Sequence, residues 1–449
     1  MKVVSWLLLC ASLLVFAQAF AQPPSAAKIA QGDLASLMDQ AARAKGLQLL
    51  VTLDFPQVQE FGGAAAGTRR QAIASAQTNF AADLAGVNAQ VVIAYTAFPI
   101  ALVQMDSQAL QHIIALPEVR YIQPNGLNRT ADNGTNAVMH TSAVWSAGYD
   151  GTGWTIVVLD TGMQTTHPFL GGRVVAEACF SGGSGASGYS SLCPNGQGFQ
   201  AGAGAGANCP YTGIGCEHGT AIAGIAAGHG TYGGGVGYDG AARGANLASI
   251  QVFSFDNNAS ALAAFDSNVL SALQFVHDSL VSNVNLKIAA VNLSLTSAVT
   301  STTPCDTSAY KPAIDTLRAD GVATVIATGN AGVLGISAPA CVSTAISTGA
   351  TDNSDNVTAY SNNANFMSLW APGDNVGSSV PGSSYATYSG TSMAAAQVSG
   401  AWAITKQKLP TASVSSVLNV LQVTGKPIVV NGFTKARIDF DVIFANGFQ

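Results

Sequence analysis

Five short apolar runs constrain this chain more than any other feature. They are TIVVLD (Thr155 to Asp160), LASIQVF (Leu247 to Phe253), KIAAVNL (Lys287 to Leu293), VATVIAT (Val322 to Thr328) and VSTAIST (Val342 to Thr348). Each has the length of a strand, and none alternates apolar with polar as a half-solvated strand would. Helix-spaced apolar residues lie between them, for example Val269, Leu273, Val276 and Leu280. This alternation predicts an α/β fold, a mainly parallel sheet flanked by helices on both faces. Ligand sites in such sheets lie at the carboxyl ends of the strands. The Gly/Ser/Ala-rich stretch from Phe180 to Gly215 interrupts the pattern and reads as a surface loop.

The N-terminal part is patterned differently. Lys2, an apolar stretch from Val3 to Phe16 and Ala19-Phe20-Ala21 form a secretory signal with an A-x-A cleavage site, so residues 1–21 are expected to be removed. Residues 22 to about 46 read as helical or loosely ordered. Strand patterns follow at Leu47 to Phe55, Gln90 to Thr96, Ile100 to Met105 and Val119 to Pro124. Helix patterns occupy residues 66–86 and Ser107 to Leu116. The order β-α-β-β-α-β predicts a small ferredoxin-like α+β unit over about residues 47–124. The polar segment NGLNRTADNGTN (Asn125 to Asn136) then reads as a linker and processing site.

Composition narrows the function classes. Charged residues are 9% of the 449, too few for a disordered chain. The 18 basic residues are outnumbered by 24 acidic ones and form no cluster, which excludes a nucleic-acid partner. No apolar run after the signal reaches the ~20 residues needed to span a bilayer, and a monomer is expected. Six cysteines remain in the exported part, and an even count in a secreted chain points to disulfides. The expected pairs are Cys179–Cys216 nested around Cys193–Cys209, plus Cys305–Cys341. No C-x-x-C is present to favour zinc.

Three segments place reactive side chains among small residues: Leu159-Asp160-Thr161-Gly162, Glu217-His218-Gly219-Thr220 and Ser389-Gly390-Thr391-Ser392. Asp160 ends a buried-type strand, while His218 and Ser392 each open a helix. A serine nucleophile needs a base to take its proton and a third group to orient that base. A helix N-terminus supplies free N–H groups beside an oxyanion. No histidine follows Ser392, which excludes the α/β-hydrolase order, and no H-E-x-x-H is present for a zincin.

LDTG with His167-Pro168 downstream, HGTAIAGI and SGTSMAAAQVSG together resemble the subtilisin-like serine proteases (subtilases) over about Ser142 to Phe444. FPIALVQMDSQALQHIIALPEVRYIQP resembles the inhibitory propeptide of that family. The resemblance implies a serine endopeptidase made as a precursor: signal 1–21, propeptide 22–131 acting as folding assistant and intramolecular inhibitor, peptidase 132–449. It is expected to be extracellular or periplasmic, to act on proteins and peptides, and to be cut near Ala131. By resemblance, Asp160 orients the imidazole, His218 is base then acid, Ser392 is the nucleophile and Asn330 is an oxyanion donor. Asn292-Leu293-Ser294-Leu295-Thr296 and Ala327-Thr328-Gly329 match the two walls of the P1 pocket, whose edges would pair with an extended peptide. With no charge in these segments, a neutral, apolar or small P1 residue is expected.

The chain departs from the family pattern at several positions. Thr296 and Ser297 stand where glycines are common, which narrows the pocket. Ala396 replaces the usual proline, and Gln164 and Phe169 stand where acids are common. Phe169 falls at a calcium-ligand position and cannot coordinate the ion. No cofactor is required for the chemistry; a structural calcium elsewhere is compatible with the sequence but is not predicted. A sedolisin-type carboxyl-serine peptidase, which shares S-G-T-S, is disfavoured by His218-Gly219-Thr220 and Asn330. A non-catalytic binding protein on the same fold is the alternative from another class.

Overall fold

The computed structural model describes residues 28–29, 34–43, 46–54, 63–125, 127–130, 139–232 and 236–440. The expected signal at residues 1–21 and the expected cut at Ala131 lie outside these residues.

The predicted apolar runs become neighbouring strands. Ile288–Leu293 pairs in parallel with both Ala323–Ala327 and Thr155–Asp160, and Thr155–Asp160 pairs with Asn246–Gln251. Ile346–Thr351, Leu369–Pro372 and Val174–Phe180 extend the parallel part, and antiparallel strands close both ends of a ten-stranded sheet. Successive side chains of Thr155–Asp160 enter different cores. Ile156 and Val158 join one cluster with the helices His218–Ala227 and Thr391–Lys408. Val157 and Leu159 join another with the helices Asp266–Phe275 and Tyr310–Ala319. Burial on both faces explains why the runs do not alternate. Val269, Leu273, Val276 and Leu280 are all buried, as their spacing predicts.

One strand begins later than expected. The run Val342 to Thr348 becomes a strand only at Ile346. Cys341 is tied to Cys305, and the N–H groups of Val342 and Ala345 close turns onto Pro339 and Val342. The Gly-rich stretch is also more structured than a loop. Phe199–Ala201 adds an antiparallel edge strand to Val174–Phe180, and Tyr189–Ser191 pairs with Ser254–Asp256.

Two expected disulfides are corrected. The bonds are Cys179–Cys193 and Cys209–Cys216, not the nested Cys179–Cys216 and Cys193–Cys209; Cys305–Cys341 is as expected. The Ser181 hydroxyl accepts from Leu192 N–H at 2.8 Å, which draws Cys193 beside the strand end that carries Cys179. Cys209 and Cys216 converge on Thr161: the Cys209 N–H donates to its carbonyl, and its hydroxyl donates to the Cys216 carbonyl.

The small unit has the predicted β-α-β-β-α-β order. Its sheet runs Ala89–Ala94, Ile100–Met105, Leu47–Leu53, Val119–Pro124. It begins earlier than residue 47, because Leu37 and Ala41 of the helix Leu34–Arg43 join its core. Leu49, Val51 and Leu53 face Phe80, Leu110 and Ile113 of its own helices. Leu50, Tyr95, Phe98 and Leu102 instead share a cluster with Val269, Leu273, Ile314 and Leu317 of the large unit. The small sheet therefore lies between its own helices and two helices of its neighbour. The Tyr95 hydroxyl donates to the Ser267 carbonyl at 2.9 Å across this contact, and Thr96 N–H donates to Gln274 Oε1. No helix among the described residues is long and apolar enough to cross a membrane.

Candidate active site

Asp160 is the last residue of the strand Thr155–Asp160, and His218 is the first of a helix whose ten residues are all buried. The helix can lie this close because Gly219 lacks a side chain: a Cβ there would sit 2.1 Å from the Gly162 carbonyl oxygen. Thr161 joins the two segments, with Gly219 N–H donating to its hydroxyl at 3.0 Å. His218 Nδ1 lies 2.8 and 3.0 Å from the two Asp160 carboxylate oxygens. Asp160 Oδ1 also accepts from Thr161 N–H at 2.8 Å. Both side chains are nearly inaccessible, at 1% and 2% exposure, so the carboxylate fixes the imidazole where water cannot compete.

Ser392 is the second residue of the helix Thr391–Lys408, buried through residue 406. Its backbone N–H belongs to the first turn, whose donors have no acceptor within the helix. This helix packs on the one that carries His218; a Cβ on Gly400 would meet the Ala226 carbonyl at 2.7 Å. Ala396 lies within this unbroken helix and is fully buried. The Ser392 hydroxyl donates to the Ser294 carbonyl at 3.4 Å rather than to the imidazole. The Ser294 hydroxyl donates back to the Ser392 carbonyl at 3.0 Å and accepts from Asn292 Nδ2 at 2.8 Å. Asn292 Oδ1 accepts from Ser399, so the strand end and the serine helix are held by one buried polar chain.

Asn330 follows the strand Ala323–Ala327. Its Oδ1 accepts from both the backbone N–H and the hydroxyl of Thr391, each at 2.9 Å. A backbone N–H can only donate, so this bond identifies Oδ1 and turns Nδ2 the other way. Nδ2 is buried with no hydrogen-bond partner among the described residues. A buried amide donor left unpaired is costly, and Nδ2 is available to an acceptor that enters the site.

Beside Ser294, the edges of Leu295–Thr296 and Ala261–Phe265 flank a groove that the chain itself occupies. Leu127–Thr130 pairs antiparallel with Leu295–Thr296 on one side, with Leu295 opposite Thr130 and Thr296 opposite Arg129. On the other side it pairs with Ala261–Phe265. Leu295–Thr296 is an expected edge; the strand's other neighbour is Ala261–Phe265 rather than Ala327–Gly329, the segment matched to the facing wall of the P1 pocket. Thr328 N–H donates to Thr348 O, and Gly329 N–H donates to the Thr391 hydroxyl, so these donors are already engaged. Gly329, at φ +106°, carries the chain from the sheet to Asn330 in a conformation that excludes a side chain. Sequence reasoning missed Ala261–Phe265. Its only signal is the short run ALAAF between the turn residues Asp256-Asn257-Asn258 and the next helix.

Phe169, the position weighed for calcium, and Gln164, which stands where acids are common, have other roles. Phe169 is buried against helix glycines, where a Cβ on Gly228 would overlap its ring, and it meets Tyr385 edge-on. Gln164 Oε1 accepts from Gly382 and Ser383 N–H. A phenyl ring supplies no oxygen, so Phe169 does not fit that ion. His167 Nδ1 accepts from Phe169 N–H at 3.1 Å, so its proton is on Nε2, which donates to Ser384 O at 3.0 Å. Burial lowers its pKa below the ordinary value, and hydrogen bonds to the backbone at Ser384 and Val380 oppose this only in part.

Comparison with known proteins agrees with this geometry. Residues 151–436, more than half of the chain, match the Subtilase family, Peptidase S8. An alkaline protease of Alkalihalobacillus alcalophilus is 29% identical over 75% of this chain and 77% of its own length. Subtilisin BL of Lederbergia lenta is 32% identical over 63% of this chain and 87% of its own length. Among solved structures, fervidolysin from Fervidobacterium pennivorans, described as a keratinolytic enzyme related to subtilisin, aligns with a TM-score of 0.64 at 19% identity. That alignment covers 90% of this chain and 62% of fervidolysin, and its likeness is one of fold. The chain thus belongs to the subtilase family of subtilisin-like serine endopeptidases.

Proposed function

We propose that this chain is an exported, autoprocessed precursor whose peptidase uses Asp160, His218 and Ser392. The observation that carries the proposal is the groove strand. Its last residue, Thr130, lies opposite Leu295, next to Ser294, whose carbonyl holds the Ser392 hydroxyl. A peptide on this path reaches Ser392 end-on, and the residue after Thr130 is Ala131, the expected cut.

In this mechanism the Ser392 hydroxyl rotates from Ser294 to His218 and attacks the scissile carbonyl as Nε2 takes its proton. Asp160 holds the Nδ1–H and stabilises the imidazolium. Asn330 Nδ2 and the Ser392 N–H receive the oxyanion. The imidazolium then protonates the leaving amine, and water hydrolyses the Ser392 ester by the same steps in reverse. Residues 22–131 act as folding assistant and inhibitor, bound through the small sheet and the groove strand. The three disulfides support an oxidising destination outside the cytoplasm.

Ser392→Ala tests this reading. The variant should accumulate as uncut precursor, hydrolyse no peptide and resist labelling by a fluorophosphonate that labels the parent. N-terminal sequencing of the mature parent should begin near Ala131. Full processing by the variant, or a mature start far from this segment, would refute the proposal.

A further inference from the structure

A second groove, of about 550 Å³, is separate from the one already filled. One wall is the segment ending at His218, with Tyr211, Thr212 and Glu217; the other is the hairpin leading to Ser392, with Val380, Pro381 and Tyr388. Neither Leu295–Thr296 nor Ala261–Phe265 borders it. A peptide held on those strands would run out between the His218 segment and the Ser392 hairpin, so this groove suits the residues after the scissile bond.

Glu217 is the only charged residue of the lining among the described residues. It is half-buried, and its carboxylate makes no hydrogen bond or ion pair with the described residues, not even a cap on the helix it precedes. The wall is also preorganised. The Cys209–Cys216 disulfide closes the loop immediately before Glu217, and Tyr211 stacks on Phe255 with ring centroids 4.4 Å apart. A half-buried carboxylate in a groove that two tyrosines also line suits a lysine or arginine, whose stem packs on the rings while its cation meets the acid.

Resting on the proposed proteolytic function, we infer that Glu217 makes the leaving-group side of the site selective for basic residues. The chain's own junction lacks such a residue; Asp132 follows Ala131.

The test uses processed enzyme from the full chain and quenched fluorescent peptides. These are identical up to the scissile bond and carry Lys, Gln or Glu at the first or second position after it. The parent should cut the Lys peptide at a kcat/KM about five-fold or more above the Glu peptide at low salt. Glu217→Gln should bring that ratio close to one, and Glu217→Lys should reverse it. Equal rates on all peptides in the parent, or a ratio unaltered by Glu217→Gln, overturn the inference while leaving the peptidase intact. A loss of stability in Glu217→Gln with the ratio kept would make Glu217 a partner of the helix dipole instead. If no peptide is cut and no fluorophosphonate label is taken, the proteolytic reading fails, and this one with it.

Discussion

At the residue scale, the informative atom is Asn330 Nδ2. Thr391 occupies the other end of the amide twice, so the side chain cannot turn to satisfy its buried donor. This is the arrangement expected of a donor reserved for a transient oxyanion. Asn330→Ala should lower kcat about 10²- to 10³-fold with little change in KM, the size found for the equivalent loss in subtilisin, a relative, and so not an independent estimate. Steady-state kinetics on one peptide checks it; a change confined to KM would make Asn330 a ground-state binder. As candidates, Asp160, His218, Ser392 and Asn330 are each legible from short motifs, because each stands near a strand end or helix start that small residues reveal. The orientation of Asn330 was not legible, since it depends on a threonine brought from 61 positions away.

At the element scale, the short turn at His167-Pro168 and the hairpin Val376–Val380/Ser384–Tyr388 are joined by one imidazole. Its folded pKa lies below the ordinary value of 6.5, so the unfolded chain takes up the proton first. The contribution to stability is complete above that value and is lost as pH falls through it toward the folded pKa. Melting temperatures should fall between about pH 7 and pH 5, and the fall should be shallower in His167→Asn, which keeps an acceptor for Phe169 N–H. Parallel slopes for the two proteins would remove His167 from this role. Strand and helix positions were readable here because periodicity reports the exposure of each segment separately. The disulfide partners were not, because Cys209 and Cys216 meet only where both reach Thr161.

At the scale of the whole molecule, the small unit is held by a sheet face and by a strand in the groove. Tyr95, 1% exposed, anchors the first through its ring and its bond to Ser267. Tyr95→Ala should cost about 3–5 kcal/mol. In an uncut Ser392→Ala background, amide exchange should accelerate across Ile100–Met105 while Thr155–Asp160 stays protected. Equal acceleration in both would mean that the chain opens as one unit. By itself the sequence determined the α/β class, the β-α-β-β-α-β order of the small unit and the residues capable of serine chemistry. Those features follow from side-chain chemistry and from spacing within single segments. Only the tertiary structure decided that Ala261–Phe265 flanks the groove, that Ala327–Gly329 pairs elsewhere, which cysteines bond, and that Glu217 stands alone in a second groove. Each of these depends on the register and approach of segments distant in the chain, which long-range packing sets and no local pattern encodes.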